Sequence, residues 1–202
     1  MAATGTDIVG LDRIAVNEAV RVVDLAKGSD WQRDTPCAGW DLRRLVAHMA
    51  AQHRGFAAAA RGAGQEATHW REPQDMSEPA RVHREAAAEV LAAFAEPGAP
   101  EREFTLPELG RSFPGFQAVA FHFVDYVVHA WDVAAALGVR LDLTDEARGA
   151  VLAVARLVPA DAEYRAPGSA FAPALEVPEG TGPLEEALRL LGRSPEAWPT
   201  PA

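Results

Sequence analysis

Apolar residues recur at helical spacing through most of the chain. Between Asp7 and Lys27, the residues Ile8, Leu11, Ile14, Ala15, Ala19, Val22, Val23 and Ala26 form one stripe, and Gly28 follows as a stop. Leu42, Leu45, Val46, Met49 and Phe56 mark a second helix over Leu42–Arg61, with Asp41 at its N-cap position. A third is predicted from near Ser77 to about Ala95, with Pro79 in its first turn. The stretch from Glu96 to Pro114 is rich in Pro and Gly, with Phe104, Thr105 and Leu106 as a short extended piece. A fourth helix, Gly115–Leu137, is apolar almost all round, which places it at the centre of a domain, and Gly138 ends it. A fifth is expected over Thr144–Leu157 and a last over Pro183–Leu191, with irregular chain from Val158 to Gly182. The pattern predicts an all-α protein: an antiparallel four-helix bundle with a C-terminal extension, one domain over residues 1–202 with a core at 7–138 and the extension at 139–202.

Polar residues interrupt the fourth helix where none should be cheap. His122, Asp125 and His129 stand at i, i+3 and i+7, so all three project from one face, embedded among Phe121, Phe123, Val124, Val127 and Val128. A carboxylate in such surroundings costs several kcal/mol unless it is paired, hydrogen-bonded or bound to a metal. One-turn spacing lets Asp125 and His129 reach a common ion, and a third ligand must then come from elsewhere. His48, in the second helix, is the leading choice and His53 the reserve. A buried ion pair between Asp125 and His129, with His48 as a hydrogen-bonded core residue, is an equal alternative at this point. His122 reads as a pocket residue. His69 and His83 sit among polar neighbours and read as surface. Asp132 either orients a ligand histidine or pairs with an arginine. Cys37 reads as a packing thiol rather than a nucleophile, since no partner base is legible.

Composition narrows the classes. Of the 202 residues, 49% are apolar and 24% charged, which fits a globular chain. The formal net charge of −10, from 19 basic against 29 acidic residues, argues against nucleic-acid and anionic-membrane partners. No run approaches the roughly 20 apolar residues of a membrane span, and the first residues lack the pattern of a signal peptide, so a cytoplasmic protein is expected. A single cysteine excludes an internal disulfide framework. Lys27 is the only lysine and alanine is abundant, as GC-rich codons produce, which points to a high-GC bacterial source.

The segments TPCAGWDLRRLVAHMAAQHRGF (Thr35–Phe56) and DYVVHAWDVAAALG (Asp125–Gly138) resemble the DinB-like metal-binding bundles. They are most similar to the mycothiol-dependent maleylpyruvate isomerase N-terminal domain family, in an actinobacterial single-domain subgroup. The ending, Phe171–Trp198, resembles the same subgroup, so the likeness covers nearly the whole chain. It implies an up-down-down-up four-helix bundle with a divalent-metal site at one end of its core. The L-x-A-H histidine falls on His48 and the V-H-x-W-D histidine on His129. The acidic residue one turn earlier, often glutamate in relatives, falls on Asp125. Family members mostly couple the metal to a low-molecular-weight thiol, whose thiolate adds to an electrophile. The isomerases carry a second domain for which this chain is too short.

The expected function is a metal-dependent enzyme, with zinc first and nickel, iron or manganese also suited to the donors. It would use mycothiol or a similar thiol for S-transfer to, or isomerisation of, a small electrophile. The alternatives are a thiol-independent metalloenzyme, such as a hydrolase or secondary-metabolite tailoring enzyme, and a non-catalytic small-molecule or metal-binding bundle. His122 and His53 are offered as the general base, and Arg43, Arg44 and Arg54 as cofactor-binding cations. A small molecule is the expected partner, with a homodimer admitted.

Overall fold

A computed structural model describes residues 7–159, 165 and 171–198. The helices are α1 (Ile8–Val23), α2 (Leu42–Ala60), α3 (Pro79–Phe94), α4 (Gly115–Leu137), α5 (Asp145–Ala155) and α6 (Pro183–Leu190). A hairpin of β1 (Glu103–Leu106) and β2 (Arg111–Pro114) precedes α4, with Phe104 opposite Phe113. Part of the irregular stretch expected over Val158–Gly182 lies outside the described residues.

Caps fix the helix ends. The Asp7 carboxylate accepts from the Gly10 amide, Asp41 from Arg44 and the Thr144 hydroxyl from Ala147, each satisfying an orphan first-turn amide. Gly138 closes α4 at φ +66°, a conformation that costs a side chain energy. α1 stops at Val23 rather than Lys27, because the chain turns at Asp24 and the Asp30 carboxylate takes up the Lys27 amide. Ala26 mimics a further helical turn in the pattern because it reaches the core from the turn after α1.

Side-chain pairs set the helix directions. His48 faces His129 while His53, further along α2, faces His122, which is earlier in α4, so these helices are antiparallel. Asp12 meets His122, whereas Arg21 reaches the Arg140 carbonyl, so α1 runs with α4. Asp24, past the end of α1, pairs with Arg84 near the start of α3, and Arg61 at the end of α2 pairs with Glu89 and Glu96 near the end of α3. The order is therefore up-down-down-up. The long α2–α3 connection allows those neighbours to be parallel, and in it Trp70 lies flat against Gly55, where a Cβ would stand 2.2 Å from the ring.

The apolar interior divides along the axis. Phe56, Val90, Phe94, Phe104, Phe113 and Val119 fill the end that the hairpin covers. The larger cluster joins α1–α4 with Leu141, Val151 and Leu188, so α5 and α6 are packed into the same core. Within α4 the apolar pattern overstates burial at Phe116, which is exposed.

Candidate metal centre

The turn before α2 builds one wall of the site. The Thr35 hydroxyl and amide both donate to the Trp40 carbonyl, and Gly39 takes φ +80° to close the loop. This places Cys37 and Trp40 against the α2–α4 seam. The Trp40 ring lies 5.0 Å from that of His48, and the Arg44 guanidinium sits 4.8 Å over Trp40.

Across the seam stand Asp125 and His129. Ligand atoms of His48, Asp125 and His129 all lie within 4.8 Å of one another. The His129 Nε2 to Asp125 Oδ1 distance is 3.4 Å, and the His48 and His129 rings meet edge to face at 5.4 Å. Bonds of 2.0–2.2 Å in a tetrahedron put donor atoms about 3.4 Å apart, so this spacing suits a small divalent ion. The donor set fits: two imidazoles and one carboxylate, with the Asp125 side chain 24% exposed, which opens the cluster to a ligand. Burial, reinforced by His129, lowers the His48 pKa to about 4, which leaves its lone pair free at neutral pH. Burial also pushes His129 down, but Asp125 and Asp132 outweigh it and hold its pKa well above the ordinary value.

The His129 ring is held from behind by a buried carboxylate. Its Nδ1 is 3.0 Å from Asp132 Oδ2, a contact that orients the ring with Nε2 toward Asp125. Asp132 is fully buried; burial would raise its pKa, but Arg193 and His129 hold it well below the carboxylate range. Cys37 donates to the same carboxylate at 3.2 Å. Cys37, His129 and Asp132 also cluster closely enough to hold a cation, yet the Arg193 guanidinium already bonds both Asp132 oxygens at 2.9 Å. A second positive charge there would be repelled, so the set on the Asp125 side is the better centre.

His53 and His122, offered from sequence as the base, lie elsewhere. Both are fully buried, with His53 Nδ1 3.1 Å from His122 Nε2 and His122 Nδ1 2.6 Å from Asp12 Oδ1. Tyr126 stacks on both rings, at 3.9 Å and 4.2 Å, and its hydroxyl donates to the Met49 carbonyl. His83 completes this sealed cluster 5.1 Å from His53; it is fully buried, not a surface residue. Its spacing from Ala86, Ala87 and Val90 on the apolar face of α3 was the signal for that. His69 is partly exposed and pairs with Glu66, as expected of surface.

Of the three arginines, Arg44 alone touches the site, through Trp40. Arg43 donates to the Met76 carbonyl. Arg54 is six positions past His48, about 120° round the helix from it. Arg193 and Asp12 carried no sequence signal of their own, although a buried Asp132 demanded some cationic partner.

The fold defines a DinB-like helical bundle, with a half-open set of candidate metal ligands between its second and fourth helices. Residues 13–134 match the family described as mycothiol maleylpyruvate isomerase N-terminal domain, and the chain belongs to that family. Two uncharacterized proteins of Mycobacterium tuberculosis, from strains H37Rv and CDC 1551, are each 32% identical over 170 residues, covering 79% of this chain and 83% of theirs. Among solved structures, the mycothiol-dependent maleylpyruvate isomerase aligns with TM-score 0.56 at 16% identity, over 74% of this chain and 68% of that one. A histidine-to-alanine mutant of the same enzyme aligns equally well, over 81% and 72%. These structures share the fold. Among the described residues no helix is long and apolar enough to cross a membrane.

Proposed function

We propose that the chain is an enzyme that holds a divalent cation, zinc first, on His48, Asp125 and His129, and uses it with mycothiol or a similar thiol. The reaction is S-transfer to, or isomerisation of, a small electrophilic substrate. The observation that carries this reading is the donor cluster: three ligand atoms converging beside a partly exposed carboxylate, in a family described by a mycothiol-dependent activity. Three protein donors leave one tetrahedral position for an outside ligand, the pattern of catalytic rather than structural zinc. A cation bound there supplies the positive charge that stabilises a thiolate at neutral pH.

The chain's own residues do the rest. Asp132 holds the proton on His129 Nδ1, so Nε2 stays turned to the site. Trp40 covers the outer face of His48, and the exposed Arg44 beside it supplies a cation for an anionic group on an incoming ligand. In this reading residues 7–138 are the catalytic core, and α5 and α6 pack against it.

Titration calorimetry tests the proposal, first with zinc and then with mycothiol, with and without chelator. The expected outcome is thiol binding by the metal-loaded protein alone. Metal-loaded protein that ignores mycothiol, yet turns over esters or lactones, would overturn the thiol half and establish the thiol-independent metalloenzyme.

A further inference from the structure

The C-terminal segment reaches the donor cluster through one residue. Arg193 follows the turn that ends α6, where Gly192 sits at φ +80° and the Arg193 amide donates back to the Leu188 carbonyl. Its side chain is buried against α4, 61 positions earlier in the chain. Nε donates to Asp132 Oδ1 and Nη2 to Asp132 Oδ2, both at 2.9 Å, a two-pronged grip that only a guanidinium makes. Nη2 also lies 3.5 Å from the Cys37 sulfur.

With both prongs in place, Asp132 has no freedom to rotate. Oδ2 faces the His129 Nδ1 proton and the Cys37 thiol, and Oδ1 is taken up by Nε. The carboxylate is fully buried, so without the guanidinium it would lose its two-pronged partner and turn from this orientation. That turn releases the His129 ring.

Resting on the metal reading above, we propose that Arg193 is the positioning residue of the metal centre: through Asp132 it fixes His129 with Nε2 aimed at the ion, so the segment after α6 is part of the site. Outer contacts of this kind typically change metal affinity 10–100-fold. The full chain is made as wild type, Arg193→Gln, Arg193→Lys and Arg189→Gln. Arg189 is the control, because it ties the same segment together through Glu185 and Glu196 without touching Asp132.

Zinc affinity is read by competition with a chromophoric chelator, and ligand geometry by the visible spectrum of the cobalt-loaded protein. Helix content is followed by circular dichroism. Arg193→Gln is expected to weaken zinc binding about 10–100-fold and shift the cobalt bands. Arg193→Lys keeps the charge without the fork and recovers part of the affinity, while Arg189→Gln leaves both readouts unchanged. Equal losses in Arg193→Gln and Arg189→Gln would reduce the role to docking the segment and overturn the proposal. Wild-type affinity in Arg193→Gln would overturn it while leaving the metal reading intact. A wild-type protein that binds no zinc or cobalt would overturn the metal reading and the proposal with it.

Discussion

Two clusters of histidine and carboxylate share α2 and α4, one to two turns apart, and the second also takes Asp12 from α1 and His83 from α3. His48, Asp125 and His129 meet beside solvent, and their donor atoms converge without bonding one another closely. Asp12, His122, His53 and His83 are fully buried, and three of them are joined in a hydrogen-bonded chain. The residue types are the same; what differs is where the lone pairs point. In the open cluster Nε2 of His129 is turned toward Asp125 at 3.4 Å, while its other nitrogen is committed to Asp132. In the sealed one, His122 spends both nitrogens on protein partners. Donor atoms that converge beside solvent make a ligand site, whereas the Asp12–His122–His53 chain makes a structural strut in the core, although Asp12 Oδ2, His53 Nε2 and both His83 nitrogens find no hydrogen-bond partner among the described residues.

The difference predicts opposite outcomes for ligand and strut. Replacing Asp12 by Leu should give the largest loss of stability, about 3–5 kcal/mol, because it leaves His122 buried without its carboxylate. Chemical denaturation measures this, and a loss below about 1 kcal/mol would show that the sealed chain contributes no more than a surface pair. Replacing His48 or His129 by Ala should do the reverse. Zinc affinity should fall by more than about 100-fold, beyond the range of an outer contact, with metal-free stability affected far less than by the Asp12 change. A His48→Ala protein that still holds zinc at wild-type affinity would show that the ion sits elsewhere.

Sequence spacing resolved one coordinate of this arrangement and missed the other. His122, Asp125 and His129 do share a face of α4, as i, i+3 and i+7 require. Seven residues also span about 10.5 Å of helix rise, enough to put the first and last in separate layers. His122 therefore meets Asp12 and His53, while His129 meets His48 and Asp132. Periodicity reports azimuth around a helix and is silent on which helix lies opposite at each level. That is also why the bounds of α2 and α4, set by Asp41 and Gly138, were readable, whereas the partners of Asp12, His83 and Arg193 were not, although the spacing of His83 did place it on the apolar face of α3. Their partners come from 110, 30 and 61 positions away in the chain.

The sealed cluster should also show itself in acid. Burial lowers the pKa of His83 to about 4, with Asp24 opposing and Arg84 adding to the shift, against 6.5 when unfolded. Between those values the unfolded chain binds a proton that the folded chain refuses. Stability is therefore full above about pH 6.5 and falls as the pH drops toward 4, by up to about 1.4 kcal/mol per pH unit for each such histidine. His53, also depressed by burial with His83 and His122 adding to it, works in the same direction. Asp12, raised by burial against the pull of His122, works in the other and offsets part of the slope. Comparing wild type with His83→Leu in chelator isolates one histidine. The variant should lose less stability between pH 6.5 and 4, and equal slopes would show that His83 is not held neutral.

Tyr126 tests whether the two clusters are separate at all. Its ring stacks on His53 and His122 in the sealed layer, while its hydroxyl donates to the carbonyl of Met49, the residue after His48. It also follows Asp125 directly in α4, so it is the shortest covalent and packed link between the layers. Tyr126→Phe keeps the stacking and removes the one hydrogen bond, which should lower stability by about 1 kcal/mol. That carbonyl already takes part in the α2 backbone ladder, so losing the hydroxyl should leave the helix, and with it the His48 ring, in place. Zinc affinity is therefore expected to stay within about twofold of wild type, since no bond to a ligand residue's own donor atom is lost. A tenfold drop in affinity at a stability cost of only about 1 kcal/mol would mean that the sealed layer sets the position of His48 through Met49. The strut would then be part of the site's geometry, and the division between ligand and strut would hold for solvent exposure but not for energy.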